Sequence, residues 1–130
     1  MSIQVKTKER VAVVDVTAQV EEAVPDDVEQ GVCTAFVPHT TAGVVVNENE
    51  SGLLGDVERA LDRVVPRDGG YEHDLIDDNA DAHLRSMLLG ESVSVPVVDG
   101  GLDLGTWQSI LFVECDGPRT RSLDVTTASA

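Results

Sequence analysis

The sequence predicts one α+β domain with about three helices. Three observations lead there. Short runs that are β-branched or alternate in polarity read as strands around stretches with helical spacing. Their order, β-β-α-β-β-α-α-β-β-β, holds too few strand–helix–strand units for a doubly wound parallel sheet. The third is size: 130 residues, 42% of them hydrophobic, suffice for a single packed core.

Each element has its own warrant. Residues 2–8 alternate, and residues 11–16 form a β-branched run, giving two strands. Thr17 offers an N-cap for a helix through residues 18–24, with Pro25 falling inside its course and Gly31 ending it. Residues 32–37 form a third strand that delivers His39 at its end, and residues 44–46 a short buried one. From Ser51, Leu53, Leu54, Val57, Ala60, Leu61, Val64 and Val65 recur at helical spacing until Pro66 and the Asp68-Gly69-Gly70 turn. A loop covers residues 71–78, then a helix runs from Asn79 to about Leu89, where Gly90 stops it. Residues 93–98 are a strand, Asp99-Gly100-Gly101 a hairpin turn, and residues 107–115 another strand. Asp116-Gly117-Pro118 turns the chain into a last strand near residues 122–125. The domain therefore spans residues 1–126, and the small, polar residues 127–130 read as a frayed tail.

Charge narrows the function classes. Twenty-four Asp and Glu oppose nine Lys and Arg, a net charge of -15. Such a surface repels phosphate backbones and anionic lipids, which argues against nucleic acid and membrane partners. The acids are dispersed and only Lys6 and Lys8 are lysines, a pattern that suits a salt-rich, halophilic cytoplasm better than a local acidic docking patch. No stretch is long and apolar enough to span a bilayer or to resemble a signal peptide, so a cytoplasmic protein is expected. Cys33 and Cys115 lie far apart in apolar strands and read as buried thiols, not as a disulfide or a cysteine metal site.

The chemistry-bearing residues gather around three histidines. They stand in Pro38-His39-Thr40-Thr41-Ala42-Gly43, Tyr71-Glu72-His73-Asp74 and Asn79-Ala80-Asp81-Ala82-His83. Three imidazoles satisfy a three-ligand metal site with an open position, a phosphate pocket or an acid–base centre. The Thr40 and Thr41 hydroxyls suit phosphate at a strand end, although an ordinary turn has the same pattern. Asn79 and His83, four apart, share one face at a helix N-terminus, where free amides favour an anion. Leu84, Met87 and Leu88 are expected to bury the neighbouring face. In the strand of residues 107–115, Gln108, Ile110, Phe112 and Glu114 point one way, and Trp107, Leu111, Val113 and Cys115 the other. An acid on so apolar a strand needs a partner, with Arg119 and Arg121 nearest; the pair is structural, or it holds an arginine for an anionic substrate.

In order along the chain, Pro-His-Thr-Thr-Ala-Gly with Asn47-Glu48-Asn49, Tyr71-x-His73, Asp81-Ala82-His83, Leu88-Leu89-Gly90, Leu104-Gly105-Thr106-Trp107-Gln108 and Asp116-Gly117-Pro118-Arg119-x-Arg121 resemble the YjbQ-like family. The resemblance covers nearly the whole chain. It implies a compact pseudobarrel-like mixed sheet with helices, a homotrimer with one pocket per subunit near a subunit boundary, and a secondary thiamine-phosphate synthase activity. That reaction joins a pyrimidine pyrophosphate to a thiazole phosphate and releases pyrophosphate. The residues it implicates are His39, His73, Asn79, His83, Gln108 and Arg119; on the leading reading, an enzyme of small phosphorylated molecules, Arg119, Thr40 and Thr41 hold phosphate. A divalent metal is expected as magnesium on the pyrophosphate, or as zinc, nickel or iron on His39, His73 and His83. The alternatives are a three-histidine metal-dependent hydrolase and a non-catalytic metal- or ligand-binding trimer.

Overall fold

The computed structural model describes residues 1–130. In chain order the elements are β1 (Ser2–Lys6), β2 (Ala12–Asp15), α1 (Thr17–Ala23), β3 (Gly31–Phe36), β4 (Ala42–Asn47), α2 (Ser51–Val64), a 3₁₀ turn (Glu72–Leu75), α3 (Ala80–Leu89), β5 (Ser92–Val98), β6 (Gly101–Leu102), β7 (Ser109–Glu114) and β8 (Thr120–Ser129). The α+β class and the three helices are as the sequence predicts. Every strand pair is antiparallel, so the mixed sheet expected from the resemblance is a curled antiparallel one. Its two parts run β1-β8-β3-β5-β6 and β2-β7-β4.

The larger core lies between the two sheets and includes Val5, Cys33, Ala35, Val44, Val95, Ile110, Phe112 and Leu123, with Val16, Val20 and Ala23 of the α1 region closing one end. The other face of the three-stranded sheet meets α2 and α3 through a smaller cluster of Leu61, Ala82, Val113 and Cys115. Strand β7 is therefore buried on both faces: Ile110 and Phe112 enter the first cluster, Val113 and the following Cys115 the second. This matches the alternation read from the sequence.

Several boundaries differ for identifiable reasons. Helix α1 ends at Ala23, two residues before Pro25, because proline cannot continue the hydrogen-bond ladder. Thr17 is not its cap: its amide and hydroxyl both donate to Asp15 Oδ1, at 2.9 and 2.6 Å, and its hydroxyl accepts from the Ile110 amide at 2.8 Å. Glu50 caps α2 by accepting the Gly52 and Leu53 amides. The expected frayed tail is paired strand instead: Thr127, Ala128 and Ser129 lie opposite Cys33, Val32 and Gly31, and the Ala130 amide donates to Gln30 O at 2.9 Å.

The largest correction concerns α3. Leu84, Met87 and Leu88 are exposed, whereas Ala80, Asp81, Ala82, Arg85 and Ser86 are buried. Asp81 takes a bidentate bond from Arg10 at 2.9 and 3.0 Å and stands 3.7 Å from Arg85, whose Nε and Nη2 donate to Val65 O. Burial pushes the Asp81 carboxyl up, but the Arg10 hydrogen bond and the charges of Arg10 and Arg85 outweigh it and hold it below the usual carboxylate range. Ser86 Oγ donates to Ala42 O at 2.6 Å, tying the helix to β4. Gly43 lets this contact close, since a Cβ there would stand 2.7 Å from Leu89 Cβ and 2.9 Å from Gly90 O.

Candidate functional site

The site is founded on Glu114, the last residue of β7 and fully buried. Its Oε1 accepts from Thr7 Oγ1 at 2.7 Å and Arg121 Nε at 2.8 Å, while its Oε2 accepts from the Cys115 and Asp116 amides, each at 3.1 Å, and from Arg121 Nη2. Burial pushes its carboxyl up, but the Arg121 and Thr7 hydrogen bonds prevail and hold it below the ordinary range. The partner is thus Arg121, which is itself buried, and not Arg119. Gly117 permits the tight turn beside this pair, because a Cβ there would lie 2.2 Å from Glu9 O and 2.8 Å from Glu114 Cγ. Arg121 Nη2 also reaches Thr41 Oγ1 at 2.9 Å, fixing the strand end that carries His39.

Around this foundation the elements converge. His39 follows β3, and its Nε2 accepts from the Ser122 amide at 2.9 Å, which places the proton of its neutral form on Nδ1. Burial, and then the nearby Arg121 charge, lower its pKa and favour that neutral form. Asn79, just before α3, does not cap the helix; Asp74 Oδ1 takes the Ala80 amide instead, at 3.1 Å. Its Nδ2 donates to Asp116 Oδ2 at 2.9 Å, so its Oδ1 faces His73 Nε2 at 3.0 Å as an acceptor. One helical turn on, the His83 ring meets the His73 ring edge-on, with centroids 4.8 Å apart. Arg119 closes on Asp116, donating from Nε to its carbonyl and from Nη2 to its carboxylate.

Pro38, His39, Thr40, Thr41, Asn79, His83, Asp116, Arg119 and Arg121 line one depression of about 380 Å³. His73 lies beside it, in an adjoining groove shared with His83, Leu84 and Met87. Seven of the expected residues (His39, Thr40, Thr41, His73, Asn79, His83 and Arg119) are therefore brought together. Gln108 is not. Its side chain accepts from the Gly105 amide at 2.8 Å, next to the end of β7 where Ser109 pairs with Asn47, while the site lies at the Glu114 end. Five residue steps separate those ends by about 17 Å. Trp107, in the same turn, is exposed.

The His73 and His83 rings stand together, and His39 lines the same depression as His83. No three of the His, Cys, Asp and Glu side chains stand grouped as metal ligands. The Nε2 atoms of His39 and His73 are already engaged by Ser122 and Asn79, whereas the ring nitrogens of His83 carry no hydrogen bond to the protein. Hydrogen-bond donors dominate the depression, with Asp116 the one carboxylate on its wall. This composition suits an anion better than a transition metal. Asp116 is the member that sequence reasoning did not assign to the site, and Arg121 the one it weighed only as a partner for Glu114. Both stand in the Asp116-Gly117-Pro118-Arg119-x-Arg121 motif, but their pairing with Asn79 and Thr41 spans 37 and 80 residues.

Comparison with known proteins places this geometry. A family model described as "UPF0047 protein YjbQ-like" matches residues 1–130. The chain belongs to this family. A UPF0047 protein of Archaeoglobus fulgidus is 50% identical over 125 residues, 96% of this chain and 98% of that protein. The UPF0047 protein YugU of Bacillus subtilis is 40% identical over 126 residues, 93% of this chain and 92% of its own length. Among solved structures, hypothetical protein APE1520 of Aeropyrum pernix superimposes with a TM-score of 0.96 at 44% identity, covering 100% of this chain and 98% of that one. A protein of unknown function from Sulfolobus solfataricus gives 0.96 at 40% identity, covering 100% and 96%. The YjbQ-like fold is thus shared along the whole chain. No helix in it is long and apolar enough to cross a membrane.

Proposed function

We propose that the protein is a cytoplasmic enzyme acting on phosphorylated small molecules, and that it forms thiamine phosphate from a pyrimidine pyrophosphate and a thiazole phosphate. The observation that supports this reading is the single depression in which His39, Thr40, Asn79, His83, Arg119 and Arg121 meet. In the reaction the thiazole nitrogen attacks the pyrimidine methylene carbon, the carbon–oxygen bond to pyrophosphate breaks, and pyrophosphate leaves with that electron pair. Arg119 and the Thr40 hydroxyl hold phosphoryl oxygens. His83, whose ring is free of hydrogen bonds, supplies a proton to the departing oxygen. His73 buttresses that ring, and Asn79 fixes His73.

The subunits assemble as a homotrimer in this proposal, the number three coming from the family resemblance. Leu75, Ile76, Leu84, Met87 and Leu88 support assembly, being exposed apolar side chains at the end of the 3₁₀ turn, just after it and on α3, with Leu84 in the groove beside His83. The test is mass-spectrometric detection of thiamine phosphate from the two precursors with magnesium, using untagged protein before and after chelation. Wild type forms product and His83→Gln loses at least about a hundredfold in kcat, the low end of proton-transfer effects. A wild-type protein that makes no product at saturating precursors sinks the proposal.

A further inference from the structure

We infer that Arg121, and not Arg119, is the inner anchor of this depression, and that its Nη1 edge together with the His39 Nδ1–H receives one oxyanion group, of a phosphate monoester or a carboxylate. The inference rests on the anion-handling reading of the site and narrows it to one guanidinium edge. Arg121 is 5% exposed, yet its hydrogen bonds to Glu114 and Thr41 use only Nε and Nη2. Its Nη1 has no partner in the protein. That edge is not sealed in the interior, because the one enclosed side-chain polar atom without a partner is Thr127 Oγ1. Since Arg121 lines the depression, its open edge faces there.

The neighbours sharpen the contrast. Arg119 is half-exposed and closes on the carbonyl and carboxylate of its own turn through Asp116. Arg85, equally buried, has carboxylates of Asp62 and Asp81 at 3.6 and 3.7 Å and so is already compensated from two sides. Arg121 has one carboxylate, Glu114, on one edge only. Glu114 meets the charge cost of burying the guanidinium and locks its plane, leaving the other edge preorganised. His39 is neutral with its Nε2 occupied, so the hydrogen it offers is on Nδ1. A neutral donor beside a fixed cation binds an oxyanion without first taking up a proton.

The test titrates wild-type protein with inorganic phosphate and, separately, with acetate, following the Arg Nε–H and His ring resonances by ¹⁵N–¹H correlation spectroscopy. We expect saturable shifts at Arg121 and His39. Saturation by phosphate alone identifies phosphoryl oxygen as the ligand group; saturation by acetate as well assigns oxyanions generally. Because Arg121→Gln alone strands Glu114, the variant used is Glu114→Gln/Arg121→Gln, with folding verified by circular dichroism. It should weaken phosphate at least about tenfold, the loss of one charge-assisted hydrogen bond, and Arg119→Gln should weaken it less. The inference is overturned if Arg119→Gln is the more damaging variant, if the folded double variant binds phosphate like wild type, or if neither anion shifts Arg121. Saturable phosphate binding without thiamine-phosphate formation leaves the anchor standing and removes the proposed reaction. Product formation with unchanged kinetics in the double variant removes the anchor alone.

Discussion

Helices α2 and α3 stand against the same three-stranded sheet and are built on opposite plans. In α2 the apolar residues Leu53, Leu54, Val57 and Leu61 turn toward the sheet and the charges of Asp56, Glu58, Arg59 and Arg63 stay in water. In α3 the charges of Asp81 and Arg85 are inside, and Leu84, Met87 and Leu88 are outside. The first helix is positioned by apolar contact, which is tolerant of small shifts. The second is positioned by directional bonds from Arg10 to Asp81, Arg85 to Val65 O and Ser86 to Ala42 O. The helix that carries His83 and follows Asn79 is the one held by directional bonds. Placing an imidazole against His73 and opposite His39 requires a defined rotation as well as burial.

That contrast breaks most readily at Asp81. Asp81→Ala leaves Arg10 and Arg85 without their shared carboxylate, and urea unfolding should show a loss of about 3–5 kcal/mol. Leu61→Ala, at the edge of the smaller cluster, should cost about 2 kcal/mol. If Leu61→Ala proves the costlier change, α3 is not held by its ion network.

Acid titration sharpens the same point. Asp81 and Glu114 have lowered pKa values, so their stabilisation is complete above the ordinary carboxylate range and is lost as pH falls through it toward the lowered values. His39, also lowered, contributes stability that is present above its ordinary value of 6.5 and lost as pH falls below it. Stability should therefore decline in two stages on acidification, and His39→Gln should flatten the first. A wild-type profile flat from pH 7 to 5 contradicts the assignment for His39.

If the proposed trimer forms through the exposed stripe, changes there should affect the subunit little and the assembly more. Met87→Glu should change subunit stability by no more than about 0.5 kcal/mol, while light scattering at high salt should report a lower mass than wild type. The corresponding change on α2, Val64→Glu, should leave the mass unaltered; equal behaviour of the two variants erases the distinction. Salt should give the gentlest trend. Repulsion among exposed acids reaches about 10 Å at 0.1 M and about 3 Å at 1 M salt, so melting temperature should rise over that interval for chelated protein. A flat or falling trend shows the acids to be paired or distant.

The sequence showed α2 and missed the orientation of α3 for one physical reason. Periodicity locates a buried face when apolar residues occupy it, as Leu53, Val57 and Leu61 do. It misleads when the buried positions are Asp81 and Arg85, whose partners Arg10 and Val65 lie in other elements. The histidine convergence was legible because each ring sits in a dense polar run. The relation of Asn79 to Asp116 and the choice of Arg121 over Arg119 were not, since the first joins the start of α3 to the turn after β7 and the second follows from the pairing of β8 with β1, where Arg121 lies opposite Val5. Gln108, which the family resemblance implicates, stands at the opposite end of β7 from this depression, a separation that motif order along the chain does not report. The tail was misread because Thr127, Ala128 and Ser129 form a strand by pairing with β3, not by their own apolar pattern.

The two cysteines divide between the two cores, Cys33 in the larger and Cys115 in the smaller beneath α2 and α3. Burial pushes both thiols up, Cys115 to about 11, so neither reacts appreciably while its surroundings stay closed. Each is thereby a built-in clock for the breathing of its own compartment. Timed alkylation followed by peptide mass analysis would read the opening frequency of the sheet-to-sheet interior at one sulfur and that of the helix-covered layer at the other. Faster alkylation at Cys115 than at Cys33 would mean that the helices lift away from the sheet as a separate cooperative unit, with the histidine-bearing helix moving before the two sheets part.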